Sequence, residues 1–333
     1  MFIYLYWRLG ETPWDALWFA LPLLLIASFP FKRIHLLQRK LIYLSLGVVT
    51  YLTLSTLLRD AYLLITGDLF SRYWVILSTF FFVILGTVHA LLGPHVKRVT
   101  LKIKDLHPSL EGITVAQISD LHIGPSIRLP YVRKVVQRTN KLNPDVIAMT
   151  GDIGDGPVRI YERDAFGLGE LRAKYGVVYV SGNHEHYWGV DDWMSVMNKL
   201  GFTVLKNTTE SIQIGEATLS LCGVPDPVSG ISPALGELSQ EVKKSDLKIL
   251  LSHRPGTARK AEELGFHIQL SGHTHGGQFF PWTVVVRFVH EFNRGLSRVG
   301  NLWIYVNVGT GVWGPLLRIG STSEISLLTL RKM

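Results

Sequence analysis

Cysteine is almost missing: Cys222 is the only one in 333 residues. A single thiol excludes a disulfide framework within the chain and any cysteine-ligated metal site, and its place in the apolar run Leu219 to Val224 reads as a buried strand position. Charge is also scarce. Asp, Glu, Lys and Arg make up 18% of the chain and the mean hydropathy is +0.22, which is unusual for a water-soluble protein of this length. No internal repeat or low-complexity tract interrupts the sequence. A cleavable leader is not indicated either: Arg8 is the only early positive charge, Glu11 and Asp15 follow, and no small-x-small site ends the first apolar run. The N-terminal region is therefore expected to remain attached.

The apolar surplus is concentrated before residue 93. Three segments read as spans: Trp14 to Phe31, short and containing Pro22; Leu41 to Leu58, extending toward Ile65; and Tyr73 to Leu92. Each alone would also serve as a buried core helix, but three in succession between short charged loops favour membrane insertion. Lys32, Arg33, Arg39 and Lys40 lie between the first two spans, and Lys97, Arg98, Lys102 and Lys104 follow the third. Only Arg59 and Arg72 occupy the intervening loop. Positive loops are retained on the cytoplasmic side, which puts the chain beyond the third span in the cytoplasm. The net charge of +8 and pI near 9.5 suit anionic headgroups or an anionic substrate. The basic residues are scattered, without an aromatic-interleaved stripe, which speaks against nucleic acid. Two regions are expected: a transmembrane anchor of about three helices over 1–92 and one domain over 93–333.

In the second region short β-rich runs alternate with helical patterns. Strands are expected at Val96 to Ile103, Gly112 to Ser119, Val146 to Thr150, Val177 to Ser181, Ser211 to Ile214, Ala217 to Val224, Leu247 to Ser252, Ile268 to Ser271, Leu302 to Val308 and Glu324 to Leu330. Helices are expected at Pro130 to Lys141, Tyr161 to Tyr175, Asp191 to Leu200 and Thr257 to Leu264. This order implies an α/β fold of two packed β-sheets flanked by helices, preceded by the N-terminal transmembrane helical region.

The apolar runs stop at chemically distinctive residues: Asp120-x-His122, Gly151-Asp152-x-x-Asp155, Gly182-Asn183-His184-Glu185, His253 and Gly272-His273-x-His275. Groups that bind ligands collect at the carboxyl ends of strands, where the chain leaves the sheet into short turns. Glycines before Asp152, Asn183 and His273 let the backbone come close without a Cβ in the way. Hard oxygen donors mixed with imidazole, and no thiolate, favour Mn²⁺, Fe²⁺ or Zn²⁺ over a structural zinc site or a calcium cage.

Taken in order, these motifs resemble those of the calcineurin-like metallophosphoesterase superfamily, over roughly residues 112 to 280. The later run Asn307-Val308-Gly309-Thr310-Gly311-Val312-Trp313-Gly314-Pro315, with Ser323-Glu324-Ile325, is similar to the membrane-associated bacterial subgroup. The resemblance implies a metallophosphoesterase-like sandwich holding two divalent ions, manganese foremost. Asp120, His122 and His275 would hold the first ion, Asn183, His253 and His273 the second, and Asp152 would bridge them. It also implies that water, activated by the ions, is the attacking group. His184 would face the substrate and protonate the leaving oxygen, with Asp155 fixing its tautomer. Glu185 is left open between a structural and a catalytic carboxylate.

The expected function is a multi-pass enzyme of the plasma (inner) membrane, its catalytic domain cytoplasmic, that hydrolyses a phosphodiester or pyrophosphate bond in a phosphorylated or lipid-linked substrate. UDP-2,3-diacylglucosamine is one substrate the resemblance permits. The alternatives are a general phosphatase or nuclease and a non-catalytic metal-binding membrane scaffold; an intact His184 and Asp155 argue against the scaffold. His35, His89, His95, His107, His186, His267 and His290 match no motif and are assigned surface or packing roles, with His186 notable for standing two residues from His184. Membrane lipids are expected partners, while the oligomeric state is open. The segment Gln278 to Arg298 reads either as a lip facing lipid, with Phe279, Phe280, Trp282, Phe288 and flanking arginines, or as a buried strand and helix.

Overall fold

The computed structural model describes residues 1–10 and 36–333. By internal contacts the chain separates into two compact units, Met1–Leu92 with Gly314–Ile319, and Gly93–Trp313 with Gly320–Met333.

The larger unit is built on two six-stranded sheets. The first has the order β1 (His95–Ile103), β12 (Glu324–Lys332), β2 (Thr114–Ile118), β3 (Val146–Thr150), β4 (Val177–Val180), β5 (Thr203–Val204). Strands β2 to β5 run parallel, β12 is antiparallel to β2, and β1 is parallel to β12. The second sheet has the order β10 (Gly295–Val299), β11 (Leu302–Val306), β9 (Ile268–Ser271), β8 (Leu247–Leu251), β7 (Ala217–Gly223), β6 (Thr208–Ile214). Its inner strands β11, β9, β8 and β7 are parallel, and β10 and β6 close the edges antiparallel. Parallel strands covered on both faces read as near-continuous apolar runs, as Val146 to Met149 does; Ile268 to Ser271 is buried on both faces as well but carries Gln269 and Ser271 on one of them.

Alternation along each strand divides its side chains between two layers. Leu247, Ile249 and Leu251 of β8, with Leu219 and Leu221 of β7, meet Val115, Val146, Ala148, Val178 and Val180 of the first sheet in the central core. On the opposite face of the second sheet, Cys222, Leu250, Leu302, Ile304 and Val306 pack against Leu235, Leu238, Ala258, Ala261 and Phe266. Each fully buried branched or aromatic side chain contributes roughly 1.5–3 kcal/mol of transfer free energy, so this doubly covered sheet is the rigid base of the unit.

The described residues form ten α-helices: α1 (Phe2–Leu9), α2 (Leu36–Thr66), α3 (Arg72–Leu92), α4 (Leu129–Asn140), α5 (Val158–Phe166), α6 (Asn183–Trp188), α7 (Val190–Lys199), α8 (Leu235–Glu241), α9 (Ala258–Glu263) and α10 (Trp282–Val289). In α4 the buried set Tyr131, Val132, Val135, Val136 and Thr139 has helical spacing, and Pro130 sits in the first turn, where its missing N–H costs nothing. The helix expected from Tyr161 to Tyr175 is shorter. It ends at Phe166 and tightens into a 3₁₀ turn over Gly167–Glu170, because Gly167 and Gly169 disfavour continued α-helix. The short elements α6, α8 and β5 are additions to the expected set, while α10 and β10 lie in Gln278 to Arg298, the segment read as a lip facing lipid or as a buried strand and helix.

In the smaller unit α2 and α3 are long and apolar enough to cross a membrane. At 1.5 Å per residue α2 spans roughly 46 Å, more than the ~30 Å of a hydrocarbon core. It takes in Arg39, Lys40 and Arg59, which the sequence reading assigned to loops. Arg59 is buried, its Nε donating to the Phe70 carbonyl at 2.9 Å and its guanidinium also to the Arg8 carbonyl at 3.1 Å. Arg8 in turn pairs with Asp60, so the charged residues at this end of the helices satisfy one another and the helix ends. Leu317 packs on Gly47 of α2 and Gly86 of α3, and Arg318 donates its backbone N–H to the Gly86 carbonyl at 3.0 Å. The first expected span, Trp14 to Phe31, lies outside the described residues.

Candidate metal centre and active site

The donors stand where the parallel strands end. Asp120 and His122 follow β2, Asp152 and Asp155 follow β3, Asn183 and His184 open α6 after β4, His253 follows β8, and His273 and His275 follow β9. Both sheets thus deliver their carboxyl ends to one place. The backbone there is unusual: Asp120, His122, Asp152, His273 and His275 all adopt positive φ between 51° and 70°, a region that side chains other than glycine's disfavour. Such conformations persist only where the surroundings impose them, and they cluster at functional sites.

Hydrogen bonds and close contacts impose them here. The Asp120 carboxylate accepts the Ser119 hydroxyl at 2.5 Å and the His273 N–H at 2.9 Å. A Cβ on Gly272 would fall 2.1 Å from that carboxylate, and one on Gly182 would fall 2.2 Å from Oδ1 of Asp152. Both glycines are therefore required by the carboxylate lying against the backbone. The run Asn307 to Gly311 braces the same loop: Thr310 donates its N–H to the Ser119 carbonyl at 2.7 Å, and Gly311 donates to the Asp120 carbonyl at 3.1 Å. A Cβ on Gly311 would meet the Leu121 carbonyl oxygen at 2.0 Å.

Three groups of donor atoms form. Asp120, His122 and His275 make the first, Asp152, His253 and His273 the second, and His122, Asp152 and His184 a third between them. Nε2 of His122 faces Nε2 of His275 at 2.9 Å, and the latter lies 3.4 Å from Asp120 Oδ1. Nε2 of His253 lies 3.2 Å from both Asp152 Oδ2 and Asn183 Oδ1, while its Nδ1 meets the Thr150 carbonyl at 2.8 Å, which sets the ring. All nine residues singled out from the sequence are brought into this cleft.

The electrostatics fit a cation. Among the described residues the ion-pair partners of Asp120 and Asp152 are imidazoles alone. Burial pushes the Asp120 carboxyl up to about 6, with the charge of Asp152 adding to the rise. For Asp152 burial also raises the pKa, but His253 and His184 outweigh it and hold this carboxylate well below its ordinary range. Burial and neighbouring His184 press His122 down to about 3; burial and His253 do the same to His273. His253 is driven the other way, to about 10, because Asp152 overcomes the effect of its burial. Two imidazole nitrogens face to face beside buried carboxylates, with neutral histidines favoured at His122 and His273, are a donor set that divalent ions complete.

His184 stands beside this cluster. Its ring lies 4.6 Å from that of His122, its backbone N–H donates to Asp152 Oδ1 at 2.8 Å, and its Nδ1 pairs with Asp155 Oδ1 at 3.1 Å. Burial lowers its pKa, but Asp152 and then Asp155 outweigh this and set it above the ordinary value. Trp188 donates its indole N–H to the same Asp155 oxygen at 3.3 Å. Tyr187 and Trp313 wall the ring at 5.4 and 5.7 Å.

Several neighbours escaped the sequence reading. Glu185, left open there, is fully buried and accepts the N–H groups of Asp152, Ile153, Gly154 and Gly182 at 3.0, 2.5, 2.9 and 2.7 Å. This carboxylate positions the loop; its place three residues after Gly182, at the start of a helix, was the available signal. Burial and the Asp152 charge raise it to about 7. Gln278 grips the Trp313 backbone twice, donating to its carbonyl and accepting its N–H, each at 2.9 Å. His290, assigned no role, lies 5.9 Å from His273 ring to ring. His186 meets the Ser181 hydroxyl at 3.3 Å instead of entering the cluster.

The family model for calcineurin-like phosphoesterases matches residues 113–277. A Danio rerio protein named transmembrane protein with metallophosphoesterase domain is 32% identical over 74% of this chain and 60% of its own. A Caenorhabditis elegans metallophosphoesterase is 32% identical over 75% of this chain and 55% of its own. The chain thus spans little more than half the length of these two. An Aquifex aeolicus metallophosphoesterase is 32% identical over 71% of this chain and 91% of its own. A solved structure from Thermus thermophilus is similar with a TM-score of 0.42 and 14% identity, over 62% of this chain and 90% of that one. With these relatives and the motif-bearing loops on both sheets, the chain belongs to the calcineurin-like phosphoesterase family.

Proposed function

We propose that this chain is a membrane-anchored phosphohydrolase dependent on two divalent ions, with manganese the preferred metal. The observation that carries it is the convergence of two donor groups, linked by a third that holds His122 of one and Asp152 of the other, beside a histidine paired with a carboxylate. In this reading Asp120, His122 and His275 hold one ion, Asn183, His253 and His273 the other, and Asp152 both. Bound there, the ions would polarise the phosphoryl group and lower the pKa of water. The chain's own residues do the rest. Asp155 accepts a hydrogen bond from Nδ1–H of His184, which leaves the proton on Nε2 as the one given to the leaving oxygen. Trp313 and Tyr187 confine that ring.

The membrane anchor is supported by α2, α3 and the relative from Danio rerio whose name describes a transmembrane protein. Arg39 and Lys40 at the start of α2, with Lys97, Arg98, Lys102 and Lys104 after α3, favour a cytoplasmic catalytic unit. A lipid-linked phosphodiester or pyrophosphate follows as the substrate class, UDP-2,3-diacylglucosamine being one to assay. The test is a purified-protein assay with Mn²⁺ against aryl phosphomonoesters, aryl phosphodiesters and that nucleotide lipid, alongside Asp152→Ala. Turnover should fall at least ~10³-fold in the variant, with metal content lowered at both positions. Unchanged metal stoichiometry in Asp152→Ala would overturn the bridging assignment.

A further inference from the structure

Helix α10 turns its apolar side chains outward instead of toward the core. Only Thr283 among its residues is buried. Trp282, Val284, Val285, Phe288 and Val289 are exposed, Phe288 to 87%, and Phe280 just before the helix is exposed as well. A continuous exposed apolar patch on a folded protein marks a contact surface. Its margin is basic. Arg287 and Arg294 are exposed and pair with no carboxylate among the described residues, and Glu291 is taken by Arg259.

Both ends of this helix are fixed to the metal cleft. At the start, Gly277 lies against Trp282 and Thr283 so closely that a Cβ would clash with the Trp282 carbonyl at 2.2 Å. Beyond the end, the Thr274 hydroxyl donates to the Asn293 carbonyl at 2.6 Å, and the His290 ring approaches that of His273. Thr274 stands between His273 and His275. The exposed apolar face is therefore carried by the same short segment that presents these two histidines.

We propose that α10 is a membrane-docking element, seated at the headgroup boundary of a bilayer containing anionic lipid, which turns the metal cleft toward phosphates at that level. This inference rests on the anchored reading given above. Three features favour a bilayer over a second copy or a partner protein. The chain carries two helices long and apolar enough to cross a membrane, so in the anchored reading a bilayer is tethered to this unit. The apolar face with arginines at its margin has the composition of an interfacial helix, and the arginines complement anionic headgroups. The patch is also small: a helix roughly 12 Å long with one preceding aromatic falls well short of the ~20–30 residues per side of a stable protein interface.

The experiment uses the full chain reconstituted into vesicles of phosphatidylcholine and phosphatidylglycerol. Since Cys222 is the single native cysteine and is buried, an environment-sensitive fluorophore can be placed at Val285→Cys, Phe288→Cys and, as a control on the exposed face of α5, Ile160→Cys. With brominated lipid, emission at Val285→Cys and Phe288→Cys should fall about two-fold or more, while that at Ile160→Cys stays unchanged. Replacing Arg287 and Arg294 by Glu should weaken the quenching. Equal emission at all three positions would overturn the proposal, and so would a difference between positions that disappears on dilution of protein in lipid, which would indicate a second copy. Failure of the chain to enter vesicles would remove the anchor and this inference together. In a chain that does enter, Phe288→Ser should retain turnover of a soluble aryl phosphodiester and lose turnover of a bilayer-embedded phosphodiester. Loss of both by the same factor would also overturn the proposal.

Discussion

Oε2 of Glu185 accepts the backbone N–H of Asp152 at 3.0 Å, so a carboxylate outside the donor groups holds the backbone of the residue common to two of them. Ile153, Gly154 and Gly182 give their N–H groups to the same carboxylate. Four backbone dipoles on one buried carboxyl group hold the strained turn at Asp152, whose φ is 52°. In Glu185→Gln one acceptor oxygen becomes an NH₂ group facing N–H donors. A buried donor left unmatched costs about 1–3 kcal/mol. The variant should melt at lower temperature and retain less metal when the metal is limiting, as read by thermal denaturation and elemental analysis. Wild-type values in both would show that the turn stands without Glu185.

In the proposed reading His184 and Asp155 serve the reaction and not metal retention, which variants can separate. Neither residue belongs to the two proposed donor sets, so His184→Asn should keep its metal content while kcat falls by roughly 10²–10⁴, the range for a positioned acid-base group. Asp155→Asn should fall less, because His184 remains but loses its orienting carboxylate. The comparison is most direct on two aryl phosphodiesters with good and poor leaving groups. The poor one should suffer more, since it depends on protonation. Equal losses on both would remove His184 from leaving-group protonation.

Much of this arrangement was visible in the sequence, for physical reasons. A parallel strand covered on both faces is a near-continuous apolar run, which made β3 legible to the residue, and the metal-grade side chains follow the ends of β2, β3, β4, β8 and β9. What stayed hidden has causes as well. Helix α10 carries its apolar residues outward, and the pattern of its sequence alone does not say whether such a face meets the core or the surroundings. The role of Glu185 depends on backbone groups that no side-chain pattern records. Arg59 looked like a loop charge because a buried arginine on a long apolar helix is costly unless distant carbonyls receive it, and those of Phe70 and Arg8 are set by tertiary structure. The return of Gly314–Ile319 to the helical unit is likewise a packing event between segments far apart in sequence.

A pH effect on stability should come from His267, away from the cleft. Its Nδ1 accepts the backbone N–H of Lys248 at 3.0 Å, which requires the neutral ring at that nitrogen. Burial, with Lys248 nearby, lowers its pKa in the folded chain. The unfolded chain has the higher affinity for the proton, titrating near ~6.5. Stability from this group is therefore present above that pH and is lost as pH falls through it toward the folded value. The melting temperature of the wild type should drop more between pH 7.5 and 5 than that of His267→Asn, whose side-chain oxygen accepts the same N–H without titrating. Parallel pH profiles for the two would show that the ring contributes nothing to acid sensitivity.

Removing residues 1–92 tests the packing of the helical unit. Leu317 is buried where it meets Gly47 and Gly86, and Ile319 packs on Gly86 within 3.2 Å of its Cβ position. Deletion takes away both glycine surfaces together with the Gly86 carbonyl that receives the Arg318 N–H. Two branched apolar side chains would then face water, at a transfer cost of roughly 1.5–3 kcal/mol each, and would drive self-association. The 93–333 fragment should therefore elute as aggregates in size-exclusion chromatography. Leu317→Ser with Ile319→Ser should return it to a monomer that hydrolyses aryl phosphodiesters, because none of the proposed metal donors lies in 1–92 or in Gly314–Ile319. A wild-type fragment that is monomeric from the start would mean that these contacts do not govern its solubility. A monomeric double variant without aryl phosphodiesterase activity would mean instead that the removed helices support the cleft itself.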